Sequence, residues 1–160
     1  MRQVEDYRRK FLVVIDESED CQRAVAFAAY RVRRTGGGIV FLSVIDSADF
    51  QAFLGVEDVM RAEAMEAAER LMDARIAQVK KIGDIAVETV IREGRAADAI
   101  EALVAEDKEV AILVLAASNS TDGPGELVTA FATRGGANGL HILVTIIPGS
   151  MSDAEIEAVS

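Results

Sequence analysis

Two apolar runs in this chain each end in a carboxylate. Phe11-Leu12-Val13-Val14-Ile15 stops at Asp16, and the run 39–45 stops at Asp46. A carboxylate there can accept hydrogen bonds from a ligand's N–H groups. It can equally serve as the polar end of a strand, capping the helix that follows, and for Asp16 both roles stand open. A third polar group, Ser118, Asn119, Ser120, Thr121 and Asp122, follows the apolar run 110–116 and offers hydroxyls, an amide and a carboxylate. On composition it is an ordinary turn; its position after a strand is what raises a binding role. This is chemistry of recognition. For bond-making the chain lacks a nucleophile elbow and a His pair, and its acidic residues show no acid/base geometry. Cys21 falls early in a helix, where the N-terminal dipole lowers a thiol pKa, but a small, partly buried residue is the simpler role. His141 has no triad around it and reads as structural. Met60, Met65 and Met72 read as helix packing.

These residues need elements to position them. The run 11–15 is β-branched, apolar on both faces and too short for a buried helix, so it predicts a central parallel strand. Ser18 suits the N-cap of a helix over 19–34, with Glu19 and Asp20 in its first turn, Arg33 and Arg34 in its last, and Gly36 to Gly38 beyond. The run 39–45 is the second buried strand. Phe50, Phe53 and Leu54 are expected to fold back from the loop after it. A long helix over 56–82, an edge strand over 85–92 and a helix over 96–106 follow. Then come a strand over 110–116, a helix from about Pro124 to Arg134, and a last strand over 141–147, from His141 to Ile147. The acidic residues 150–160 allow one helical turn or two. Strands alternating with helices imply a parallel sheet with right-handed crossovers, covered on both faces.

One hundred and sixty residues suit one domain with a substantial core. A net charge of −10 argues against nucleic acid and anionic membranes as partners, since both need a basic face. No apolar run reaches the ~20 residues of a membrane span, and the start MRQVEDYRRK lacks the apolar stretch of a secretory signal. One Cys and one His argue against a structural zinc site, so no metal is expected. The expectation is a soluble cytoplasmic domain.

The residues narrow the architecture further. VVIDESEDCQRAVAFAAY, LSVID, EGRAADAIEALVAEDKEVAILVLAAS and HILVTIIP succeed one another at fitting distances. Together they resemble the universal stress protein family, of the UspA-like kind, over a domain spanning 10–148, with 1–9 and 149–160 as terminal extensions. The resemblance implies an α/β fold: a three-layer α/β/α sandwich on a five-stranded, doubly wound parallel sheet of order 3-2-1-4-5, adenine nucleotide alpha hydrolase-like. It implies that Asp16 contacts adenine and Val44 lines the base pocket. It places phosphates on the loop after strand four, on the family pattern Gly-x-x-Gly, nine residues, Gly-Ser/Thr.

The chain departs from that pattern. Its first two glycine positions fall at Ala117 and Ser120. The third falls at Ala130, before Phe131, or at Val128-Thr129 if the loop is two residues shorter. Side chains there block the close approach of backbone N–H to phosphate that glycine allows. No Lys or Arg lies within 109–133, and Asp122 adds negative charge near Asp16, Glu17 and Asp46. Against this, Asn119, Ser120 and Thr129 offer hydrogen-bonding groups. The expected site is therefore Asp16, Val44, Ala117, Asn119, Ser120 and Thr129. The expected function is a non-catalytic regulatory module of the stress response that binds ATP weakly or not at all, with no required cofactor. The alternative is an adenine-nucleotide-binding protein, with or without slow ATPase activity, that holds ATP with Mg²⁺ in a rearranged loop. Family members commonly dimerise through their last strands, so a homodimer through His141 to Ile147 is expected, with a further protein partner unspecified. A receiver domain does not fit. It needs an Asp ending strand three and a Lys ending strand five, where this chain has Ile91-Arg92-Glu93 and Ile146-Ile147-Pro148.

Overall fold

The computed structural model describes residues 9–52, 55–134 and 140–160. Five strands form one parallel sheet: β1 (Lys10–Val14), β2 (Gly38–Ile45), β3 (Val87–Glu93), β4 (Val110–Ala116) and β5 (Leu143–Ile147). Their spatial order is β3-β2-β1-β4-β5, as the family resemblance implied. The run that starts the chain is central because it can be buried on both faces. Phe11 pairs with Ile39 on one side and Ile112 on the other. Alternation then splits the core in two. Phe11, Val13 and Ile15 face one layer, which includes Phe41, Val114 and Ile147. Leu12 faces the other, with Val40, Leu42, Leu113 and Leu115.

The first layer is covered by α1 (Asp20–Thr35), α2 (Glu57–Ile82) and α5 (Asp153–Val159). Ala24, Ala28 and Ala29 of α1 are at most 2% exposed, and their small size lets the helix lie close on the strands. The second layer is covered by α3 (Ala96–Glu106), through Ala99, Ile100 and Leu103, and by α4 (Glu126–Arg134), through Val128 and Phe131. Helices on both faces make the sheet doubly wound.

Three departures from expectation have local causes. Val56, Val59 and Met65 are exposed, so the apolar spacing of α2 meets the core through its second half, where Ala68, Met72 and Val79 are buried and Leu71, Ile76 and Ile82 pack partly buried beside the core. Helix α4 begins at Glu126, two residues after Pro124, because Gly123 and Gly125 flank the proline at φ 112° and 108°. The final helix is a full packed element. Ser152 and Glu155 form a capping box, Ile156 is 1% exposed, and Tyr30 Oη donates to Asp153 Oδ2 at 2.7 Å.

At the amino edge of the sheet, Lys10 Nζ reaches Asp107 at 2.7 Å, Glu88 at 3.0 Å and Glu109 at 3.4 Å. Burial alone would lower the Lys10 pKa, but the bonds it donates to Asp107 and Glu88, with their charges, outweigh it and hold the group above the ordinary lysine range. That edge ties three elements together and leaves the opposite edge for chemistry.

Candidate functional site

The carboxyl ends of β1, β2, β3 and β4 open on two adjoining cavities, where an open α/β sheet places its ligands. The smaller, about 410 Å³, is lined by Asp16, Cys21, Val44, Ser118, Gly125 and Val128 among others. The larger, about 850 Å³, is lined by Val44, Asp46, Arg95, Ser120, Asp122 and Thr129 among others. Val44, Ala96, Ser118 and the turn 124–127 belong to both linings, so the two form one cleft.

Asp16 is exposed, and its Oδ1 accepts Ser18 N–H at 2.8 Å and the Ser18 hydroxyl. Ser18 Oγ in turn accepts Cys21 N–H at 3.3 Å. Glu19 occupies the N-cap position with helical backbone and no side-chain cap bond, so Ser18 caps from one residue further out than expected. Asp16 therefore does a structural job through Oδ1 while also lining the smaller cavity. Asp46 repeats the device: its Oδ1 accepts Ala48 N–H at 3.0 Å and opens a 3-10 turn, Ser47–Ala52. Phe50 in that turn is buried under the Arg61 guanidinium, which also holds Glu93 at 3.0 Å and Glu57 at 3.1 Å. Phe53 and Leu54, expected to fold back with it, lie outside the described residues.

The loop after β4 is closed on itself. Ser118 N–H donates to Pro124 O at 2.9 Å. Ser120 N–H donates to Ser118 Oγ at 3.1 Å, and Asp122 N–H to Ser120 Oγ at 3.2 Å. Thr129 Oγ1 donates to Gly125 O at 3.0 Å, back along its own helix. Both sequence placements of the third glycine position, Val128-Thr129 and Ala130-Phe131, fall inside α4, where Val128 and Phe131 are core residues. The loop's glycines are Gly123 and Gly125, which shape the turn around Pro124.

Of the six expected site residues, Asp16, Val44, Ser120 and Thr129 line the cleft. Ala117 and Asn119 line neither cavity. Ala117 N–H donates to Ile147 O at 2.8 Å, and its carbonyl accepts from Arg23 Nη2 at 3.1 Å. A Cβ at Gly149 would meet Asn119 N at 2.9 Å. Both residues are turned toward the exit of β5. Cys21 is 4% exposed, and burial pushes its thiol up to about 11. His141 is exposed just ahead of β5. Among the described residues no group of His, Cys, Asp and Glu is placed to hold a metal ion.

Two cations escaped the sequence reading. Arg95 follows β3 and lines the larger cavity; the segment EGRAA, leaving a strand at the ligand edge, was the available signal. Arg23 reaches the β4 exit from α1, where it pairs with Asp20. Asp16 and Val44 line the same smaller cavity, a carboxylate and an apolar side chain in one wall. In the loop after β4 the N–H groups of Ser118, Ser120 and Asp122 are all bonded within the loop itself.

The universal stress protein family matches this chain over residues 8–132. No curated protein sequence matches it. Among solved structures, the hypothetical protein MJ0577 is 19% identical, with a TM-score of 0.73 over 91% of this chain and 99% of that one. Universal stress protein UspA from Lactobacillus plantarum is 19% identical, with a TM-score of 0.71 over 88% and 97%. A universal stress protein in complex with cAMP is 17% identical, with a TM-score of 0.63 over 91% and 100%.

Proposed function

The chain belongs to the universal stress protein family, and on that premise we propose that it is a non-catalytic binding and regulatory module of the stress response that holds ATP weakly or not at all. The observation that carries this reading is the direction of three N–H groups. Those of Ser118, Ser120 and Asp122 point to Pro124 O, Ser118 Oγ and Ser120 Oγ. A phosphate cradle needs such groups turned outward. Asp46 and Asp122 line the same cavity and repel phosphate. The non-enzymatic reading is supported by Asp16 and Asp46, whose Oδ1 atoms each accept from backbone two residues on rather than from a base or nucleophile. No cofactor is required, and a metal enters only with the alternative below.

Calorimetry with ATP, ADP and AMP, with and without Mg²⁺, tests the reading. The expected dissociation constant for ATP is above about 100 μM, and a low-micromolar value would refute it. Multiple-turnover hydrolysis that disappears in Asp16→Ala would refute the non-catalytic part.

A second reading, an adenine-nucleotide binder that uses ATP with Mg²⁺ in a rearranged loop, is favoured by one feature. Gly123 and Gly125 give the loop left-handed backbone at two points, and such turns can present N–H groups to anions. A neighbour of the same fold was solved with cAMP. Tight ATP binding lost in Ser120→Ala with Thr129→Ala would establish it.

The protein is proposed to work in the cytoplasm as a homodimer through the strand that follows His141 and ends at Ile147. Edge position and a 68% exposed Leu143 support pairing of β5 with its own copy about a two-fold axis. Nucleic acid and membranes are not expected partners, given the net charge of −10. Among the described residues no helix is long and apolar enough to cross a membrane.

A further inference from the structure

Asp122-Gly123 is the one Asp-Gly pair in the chain, and it lies in the turn that leads from β4 to α4. Asp16 and Asp46 each commit Oδ1 to a backbone N–H two residues on. Asp122 differs from both. It is exposed, and among the described residues its carboxylate has no hydrogen bond or ion pair. The next nitrogen is weakly held as well. Gly123 N–H reaches Ser120 O at 3.4 Å, beyond the usual range of an N–H···O bond. Gly123 has φ 112°, which glycine adopts without steric cost, and a Cβ built on it would meet no atom within 4 Å. Joining an aspartyl Cγ to the following nitrogen closes a five-membered ring. With glycine next, no side chain obstructs that closure.

We propose that Asp122-Gly123 is a self-modification site, where the chain converts aspartate to isoaspartate through a cyclic imide. The Gly123 nitrogen attacks Cγ of the protonated Asp122 carboxyl group. A C–N bond forms, the nitrogen gives up its proton, and the carboxyl hydroxyl leaves as water. Water then adds back to the ring. Opening at Cγ restores aspartate. Opening at the main-chain carbonyl leaves the chain running through Cβ and Cγ, with the former carbonyl now a free carboxylate. Solvent water is the only co-reactant, and the mass of the chain is unchanged. The product carries one extra methylene in its main chain, between the ends of the Ser118 N–H to Pro124 O bond that closes the loop at 2.9 Å. It also relocates a carboxylate that lines the larger cavity. The modification therefore loosens the closure of the loop after β4.

The test ages the full chain at neutral pH in water labelled with heavy oxygen, beside a synthetic peptide of residues 116–128. Trypsin then releases residues 109–134 as one peptide, since no Lys or Arg lies between. Isoaspartate is read by enzymatic methylation of its free carboxylate, and mass spectrometry locates it. The expected result is isoaspartate at residue 122 with heavy oxygen incorporated, formed within about threefold of the free peptide's rate, as an open surface turn allows. Asp122→Glu keeps the charge but needs a six-membered ring, and should abolish the signal. Hydrogen exchange at the Ser118 amide should quicken in aged wild type and stay constant in aged Asp122→Glu. A rate more than about tenfold below the peptide's overturns the proposal, because the fold then holds nitrogen and carboxyl apart. Signal found only with a gain in mass also overturns it, since that marks deamidation at Asn119 or Asn138. Unchanged Ser118 exchange despite isoaspartate at residue 122 overturns the loosening of the loop.

Discussion

If the loop after β4 rejects phosphate because its N–H groups are consumed internally, releasing them should create ATP affinity. The triple variant Ser118→Ala, Ser120→Gly, Asp122→Asn does so with small volume changes. Removing the Ser118 hydroxyl frees Ser120 N–H, and removing the Ser120 hydroxyl frees Asp122 N–H. Each freed group can donate to a charged acceptor, worth about 1.5 kcal/mol at the low end. Neutralising Asp122 removes a repulsion of about 1 kcal/mol at solvent-like screening, fitting an exposed side chain. The new glycine returns about 1 kcal/mol as added backbone freedom. The net gain is about 3 kcal/mol, or a little over a hundredfold in dissociation constant. Calorimetry against wild type, with a urea melt to confirm that the variant stays folded, reads this directly. A folded variant whose ATP affinity matches wild type would refute the loop argument. A gain confined to Asp122→Asn alone would reassign the whole effect to charge.

Other outcomes follow from the same geometry. Val144→Pro should give a monomer by sedimentation velocity where wild type is a dimer, because proline removes a ladder donor and its ring obstructs pairing; a monomeric wild type at micromolar concentration ends the assembly proposal. Tyr30 is held protonated up to about 12, chiefly by its bond to Asp153 and then by burial. Its folded-state value lies above the ordinary value of 10, so its contribution to stability is full below pH 10 and lost as pH rises from 10 to 12. With Tyr7 the second of two tyrosines and no Trp, absorbance at 295 nm should show a late step that vanishes in Tyr30→Phe and moves down in Asp153→Asn. Ile156→Ala should cost about 3 kcal/mol in urea unfolding, the transfer of three carbons plus a cavity term; a cost below 1 kcal/mol would mean that α5 contributes little by docking.

The layered sheet was readable because its signal is local. Phe11 to Ile15 is apolar at every position, a pattern that burial on both faces demands, and each strand is separated from the next by a recognisable helix. Asp16 and Asp46 were readable as strand ends for the same reason, since the end of a strand is visible in its own few residues, whereas Val44 came only from the family resemblance. Arg95 was not, since its place in the cleft depends on β3 lying two strands from β1. The fate of Ser118 and Ser120 was not readable either. Serine's composition says that it can donate and accept, but the turn at Gly123 and Gly125 decides that these two accept from their own loop. The α5 helix hid behind acidic composition, although Ser152 and Glu155 form a capping signature at the right spacing. Its partners Tyr30 and Arg33 sit more than a hundred residues earlier.

Gly149 has a consequence beyond packing. Its backbone lies so near Asn119 that an added Cβ would reach Asn119 N at 2.9 Å and Ala117 O at 3.0 Å, and Ala117 N–H is bonded to Ile147 O. The exit of β5 and residues 117–119 of the loop after β4 are therefore in direct contact, so a displacement of one presses on the other. An edge strand recruited by a second copy would transmit its new stance into that loop, and a ligand that displaced residues 117–119 would strain the strand pairing. Thermodynamic linkage makes such coupling reciprocal: whatever factor assembly applies to ligand affinity, the ligand applies to assembly. If the protein is the binding module and homodimer proposed above, occupancy could then be reported by changing how long two copies stay together.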